Sequence, residues 1–109
     1  MEASTPKEFF EKNLPARFKP DKAKGFQAVA QASISGPSGG QWTITIRDQK
    51  IETKEGAAPK PDITFKMADR DFMDLVNGKL NAVTAFMTGK LEFNGNMATA
   101  LRLLDMGFM

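Results

Sequence analysis

The sequence predicts an α+β fold, with strands first, helices after, and one late strand returning to the sheet. Three observations predict it. Apolar residues alternate with polar ones from Phe26 to Met67, the apolar spacing lengthens to a helical period from Asp69 onward, and the strand-like runs are separated by the turn segments SGPSGG (35–40) and EGAAPKP (55–61). At 109 residues and 12.0 kDa the chain suits a single domain, residues 1–109, around one core.

The first element is a helix. Thr5, Pro6 and Glu8 occupy the N-cap, N1 and N3 positions of a capping box, and Phe9, Phe10 and Leu14 give it an apolar stripe. Pro15 is expected to end it, because proline lacks the ladder donor and clashes with the preceding turn. The first strand is read from Lys24 to Ser35, with Phe26, Ala28, Ala30, Ala32 and Ile34 on one face. The alternation returns in Trp42, Ile44 and Ile46, weakly around Ile51 and Thr53, and again in Ile63, Phe65 and Met67. The turn segments between these runs suit hairpins in an antiparallel sheet with one wet face. A fifth strand is expected at Leu91 to Phe93. Asp69 is the expected N-cap of a helix that carries Phe72, Leu75 and Val76 and stops at Asn77-Gly78. Asn81 caps a second short helix, with Val83 and Phe86 on its stripe, ending near Gly89. A third starts near Asn96 and carries Met97, Leu101, Leu104 and Phe108 at helical spacing.

Composition removes several function classes. A net charge of +2, with Lys and Arg interleaved with Asp and Glu, argues against nucleic acid as a partner. The cluster of Arg17, Lys19, Lys22 and Lys24 reads as a solvated loop, with an anionic membrane surface as the alternative contact. No apolar run reaches the roughly 18–20 residues of a membrane span. MEASTPKEFF has no basic segment followed by an apolar core, so a cytoplasmic location is expected.

With His, Cys and Tyr all at 0, the commonest general base, the thiol nucleophile and the phenolic acid are missing, and the chain is expected not to be an enzyme. GPSGG at 36–40 satisfies the G-x-S-x-G pattern, but a nucleophile elbow needs a following helix and a nearby base, and the stretch reads instead as a tight reversal between strands. Asp69, Asp71 and Asp74 lack calcium-loop spacing, and no phosphate-binding glycine loop is present, so neither metal nor cofactor is expected.

Methionine is the residue in excess. Met67, Met73, Met87, Met97, Met106 and Met109 fall late in the chain beside Phe72, Phe86, Phe93 and Phe108. Such side chains fill cores, and they also line surfaces that accommodate guests of varied shape; composition does not choose between these uses.

Residues 63–104, ITFKMADRDFMDLVNGKLNAVTAFMTGKLEFNGNMATALRLL, resemble the signature half of the sterol carrier protein type-2 domain. The likeness lies in D-x-x-F at Asp69 to Phe72, then NGKLN, then AFMTGKLEFNGNM, then an apolar helix. KGFQAVAQASIS upstream agrees more loosely. The resemblance implies a five-stranded, largely antiparallel sheet with helices on one face enclosing a hydrophobic tunnel. It implies non-catalytic binding and transfer of fatty acid, fatty acyl-CoA, phospholipid or sterol, with transient membrane contact. The terminal Gly-Phe-Met differs from a peroxisomal address.

Guided by that resemblance, the cavity is expected to be walled by Trp42 and Ile44 from the sheet and by Phe72, Val76, Phe86, Met87, Leu91, Phe93, Met97, Leu101 and Leu104 from the late elements, with the helix from Met97 as a lid. An unfilled apolar void of ~300 Å³ would cost about 7 kcal/mol, so such a pocket is expected to contract when nothing fills it. The competing reading is an accessory module that docks an enzyme or partner through the same Met and Phe surface.

Overall fold

The computed structural model describes residues 4–103. A continuous N-terminal helix is built from α1 (Pro6–Glu8), a π-helical turn (Phe9–Asn13) and α2 (Leu14–Arg17). A 3₁₀ turn at Pro20–Ala23 leads to the strands β1 (Ala28–Ser35), β2 (Gly40–Arg47), β3 (Lys50–Glu55) and β4 (Ile63–Ala68). Then follow α3 (Asp69–Val76), α4 (Ala82–Met87), β5 (Glu92–Gly95) and α5 (Met97–Leu103). The five strands form one sheet in the order β3-β2-β1-β4-β5. Among the described residues no helix is long and apolar enough to cross a membrane.

The α+β reading and the largely antiparallel sheet hold, with one correction. SGPSGG is a true hairpin turn between antiparallel β1 and β2, whereas EGAAPKP is not a hairpin: it crosses to the far side of β1, where β4 pairs in parallel. Period-two patterning fixes faces but not neighbours, so this crossover left no trace in the alternation. The hairpin turn is tied to α3. Asp69 Oδ2 accepts from the Ser38 N–H at 3.0 Å, and Gly36, at φ +103°, lies so close that a Cβ there would stand 2.6 Å from the Asp69 carboxylate. Ala68, not Asp69, is therefore the N-cap; the Asp69 carboxylate bonds the neighbouring turn and the Arg70 N–H.

Pro15 does not end the helix, which runs on to Arg17. The reason is a change of register. In the π turn the Leu14 N–H reaches back five residues to the Phe9 carbonyl, and in that register Pro15 would serve Phe10. Proline has no N–H to give, and Thr53 Oγ1 of β3 donates to the Phe10 carbonyl instead, at 2.8 Å. Thr5 caps the helix through the Glu8 N–H as expected, while the Glu8 carboxylate reaches the Ser4 N–H rather than that of Thr5. Arg17 does not belong to a solvated loop: its guanidinium stacks 5.2 Å from the Phe9 ring and donates to the Val76 carbonyl at 2.8 Å, closing the C-terminus of α3.

Phe9, Phe10 and Leu14 are fully buried against the sheet face built by Ala30, Ala32, Trp42, Ile44 and Ile63. Phe10 stacks on Trp42 at 5.3 Å and on Phe72 at 5.2 Å, and Phe9 meets Phe72 edge-on at 5.5 Å. Asn81 and Asn96 cap α4 and α5 as expected, accepting from the Val83 and Thr84 and from the Ala98 and Thr99 N–H groups. The buried stripes differ from expectation. Ala82 and Ala85 of α4, and Ala100 and Leu103 of α5, face inward, while Val83, Phe86, Met97 and Leu101 face out. Leu104 and Phe108 lie outside the described residues.

Candidate functional site

The site is prepared by small residues at the centre of the sheet. β1 buries Ala28, Ala30 and Ala32, and the latter two share the core with the rings of Phe9, Phe10 and Phe72. Toward the β4 side the covering is incomplete, and a hollow remains between sheet and helices. Phe10, Ala32, Ile34, Phe65, Met67, Phe72, Leu75, Val76 and Leu91 line it, all apolar. Its volume is about 30 Å³. That is room for about one water molecule, yet walls without a polar group would keep water out.

Of the sequence-derived wall residues, the structure brings Phe72, Val76 and Leu91 together at this hollow. Trp42 stands one ring away, stacked on Phe10. Ile44 is fully buried on the same sheet face without lining the hollow. Phe93 is half-buried on the edge strand, with the Phe86 ring 5.2 Å from it. Phe86, Met87, Met97 and Leu101 do not reach the hollow; Met87 is 78% exposed and Leu101 58%. Leu104 lies outside the described residues, as do Met106, Phe108 and Met109, on which the lid reading rests.

Sequence reasoning missed Phe10, Ala32, Ile34, Phe65, Met67 and Leu75 as lining. The signal existed in part. Phe65 and Met67 share the inward phase of β4 with Ile63, and Ala32 sits opposite both Trp42 and Phe65 in register. Nothing in the sequence shows that the N-terminal helix packs over β2 and leaves the β4 end of the sheet less covered.

A row of neighbouring apolar side chains runs from the surface to the lining of the hollow. Exposed Phe86 packs on half-buried Phe93, Phe93 is the cross-strand partner of Phe65 on the helix-facing side of the sheet, and Phe65 lines the hollow. The helix that carries Phe86, α4, has six residues, of which Ala82 and Ala85 are buried. The lining of the hollow offers no polar group to fix a reacting one.

Known proteins resemble the chain over most of its length. Hydroxysteroid dehydrogenase-like protein 2 of Bos taurus is 37% identical over 84 residues, which take in 76% of this chain and 20% of that protein. Sterol carrier protein 2 of Bos taurus is 38% identical over 73 residues, 65% of this chain and 13% of its own length. The chain thus spans a fifth or less of these curated relatives. The solution structure of palmitated SCP2L2 from Aedes aegypti superposes with a TM-score of 0.70 at 26% identity, covering 90% of each chain. Residues 9–106 match the family described as SCP-2 sterol transfer, and on that match, over an α+β fold whose interior hollow is wholly apolar, the chain belongs to the SCP-2 sterol transfer family.

Proposed function

We propose that residues 1–109 act as one non-catalytic lipid-binding unit, taking the hydrocarbon part of a fatty acid, fatty acyl-CoA, phospholipid or sterol between sheet and helices and carrying it in the cytoplasm between membranes or to an enzyme. Membership of a sterol transfer family supports lipid binding and transfer. The observation that carries the reading is the hollow with no polar wall; in this reading the guest enters past Phe86, Phe93 and Phe65. In this reading Phe10, Phe72, Val76 and Leu91 are its walls, Trp42 backs them, and Phe86, Met87, Phe93, Met97 and Leu101 form the apolar mouth that touches a membrane in passing. The palmitated state of the Aedes aegypti protein supports an acyl chain as guest.

A hollow of about 30 Å³ must widen to admit such a guest. Burying ~12 methylenes returns about 10 kcal/mol gross, set against the cost of parting the sheet from Phe10 of the N-terminal helix and Phe72, Leu75 and Val76 of α3. The test is a thermal melt with palmitate. At ten times Kd the linkage contribution is about 1.4 kcal/mol, equivalent to a rise of roughly 5 °C for a domain of this size. A native mass spectrum should show one lipid per chain. Unchanged melting with every lipid from 12 to 18 carbons would overturn the reading.

A further inference from the structure

The chain keeps all of its sulfur in methionine. Cys is 0, so a peroxide meets no thiol, and the single tryptophan, Trp42, is buried. Four methionines lie among the described residues, and the fold divides them into two pairs. Met67 lines the hollow and is buried, and Met73 of α3 packs half-buried against the core. Met87, the last residue of α4, is 78% exposed, and Met97, the first of α5, is 50% exposed. The helical period accounts for Met87. α4 turns Ala82 and Ala85 inward, and a residue two positions past Ala85 falls about 200° round the axis, on the outer side.

A methionine sulfur reacts with a peroxide only where the reagent reaches it. The sulfur lone pair attacks one peroxide oxygen, the O–O bond breaks, and a proton transfer releases the other oxygen as water. Sulfur is oxidised to the sulfoxide, the peroxide is reduced, and no bond of the chain is cut. The product carries a polar S–O group in place of a soft, apolar thioether. At an exposed position water solvates that group and the fold loses little. What changes is the passage of the side chain from water into an apolar phase, because the sulfoxide must then give up its hydration.

We propose that Met87 and Met97 are the sites of a reversible oxidation switch on the apolar mouth: hydrogen peroxide converts both to sulfoxides and slows delivery of the guest to a membrane, while the hollow keeps its affinity. The switch rests on the lipid reading above, which supplies the mouth, and adds regulation to it. Met67, the sulfur at the hollow, is shielded by its burial, so oxidation reaches the mouth first.

The experiment treats palmitate-loaded protein with hydrogen peroxide. Peptide mass mapping reads the sulfoxide at each methionine, calorimetry the palmitate affinity, a thermal melt the stability, and a vesicle assay the rate of palmitate transfer to phosphatidylcholine. Sulfoxide should form at Met87 and Met97 roughly tenfold faster than at Met67. Transfer should slow roughly tenfold, with affinity within about twofold and melting within about two degrees of the untreated protein. Methionine sulfoxide reductases should restore the original rate. For the double variant Met87→Leu with Met97→Leu, the transfer rate before peroxide is its own reference, and peroxide should leave it unchanged. Oxidation of Met67 as fast as that of Met87 would overturn the switch. So would an unchanged transfer rate once both sulfoxides are present, a loss of transfer accompanied by a fall in melting temperature, or a double variant that peroxide slows as much as the wild type. If the untreated wild type neither binds nor transfers palmitate, the lipid reading fails and the switch falls with it. A wild type that transfers palmitate at a rate indifferent to peroxide sinks the switch alone.

Discussion

Phe10 connects the backbone of the N-terminal helix to the interior of the molecule. Its ring lines the hollow and stacks on Trp42 and Phe72, while its carbonyl, which Pro15 cannot serve, accepts the Thr53 hydroxyl. Replacing Thr53 with valine keeps the shape and removes that donor. The helix then carries an unsatisfied, largely desolvated carbonyl, at a cost of about 1–2 kcal/mol, visible as a lower urea midpoint with an unchanged slope. A midpoint equal to that of the wild type would mean that water replaces the hydroxyl and that the π turn needs no support from β3. The sequence showed the burial of Phe9, Phe10 and Leu14 through their spacing but not the π register, because an extra residue in one turn leaves the apolar stripe nearly unaltered. Thr53 appeared only as a member of a weak strand.

At the scale of elements, α4 and α5 show where sequence reading reverses. Their large apolar residues, Val83, Phe86, Met97 and Leu101, are exposed, and alanines do most of the packing. Alanine carries too weak a hydrophobic signal to compete with phenylalanine when a stripe is sought. The strands were easier to read, since one wet face makes the alternation of β1 and β2 unambiguous. The two asparagine caps were legible as well, unlike the expected Asp69 cap, because an asparagine side chain accepting from the second and third N–H groups is a local matter.

A six-residue helix held by two alanines depends heavily on such a cap. Asn81→Ala should cost about 1 kcal/mol in global stability. Because α4 carries Phe86 of the proposed entry route, it should also speed release of bound palmitate several-fold in a vesicle-transfer assay, an effect that the Thr53 variant, remote from Phe86, should lack. Equal release rates for the Asn81 variant and the wild type would place the route elsewhere.

For the molecule as a whole, the volume of the interior sets the behaviour. Opening the hollow from about 30 Å³ toward the ~300 Å³ an acyl chain requires, with nothing inside, would cost about 6 kcal/mol, much of a small domain's entire stability. The closed form is therefore the one expected without lipid, and chain insertion and widening must occur together. Trp42, the only tryptophan, reports on this step, because it stacks on the Phe10 ring that forms a wall of the hollow. A chain that enters must displace Phe10 and alter the surroundings of the indole. Titration with palmitate should change Trp42 emission saturably, with the midpoint that the melting shift gives. In Phe10→Leu, which removes the stacked ring and leaves an aliphatic wall, the amplitude should fall by more than half while binding persists. A melting shift without any change in emission would place the lipid on the exposed Phe86 and Met87 surface instead of inside, and the hollow would then be a packing defect rather than a binding site.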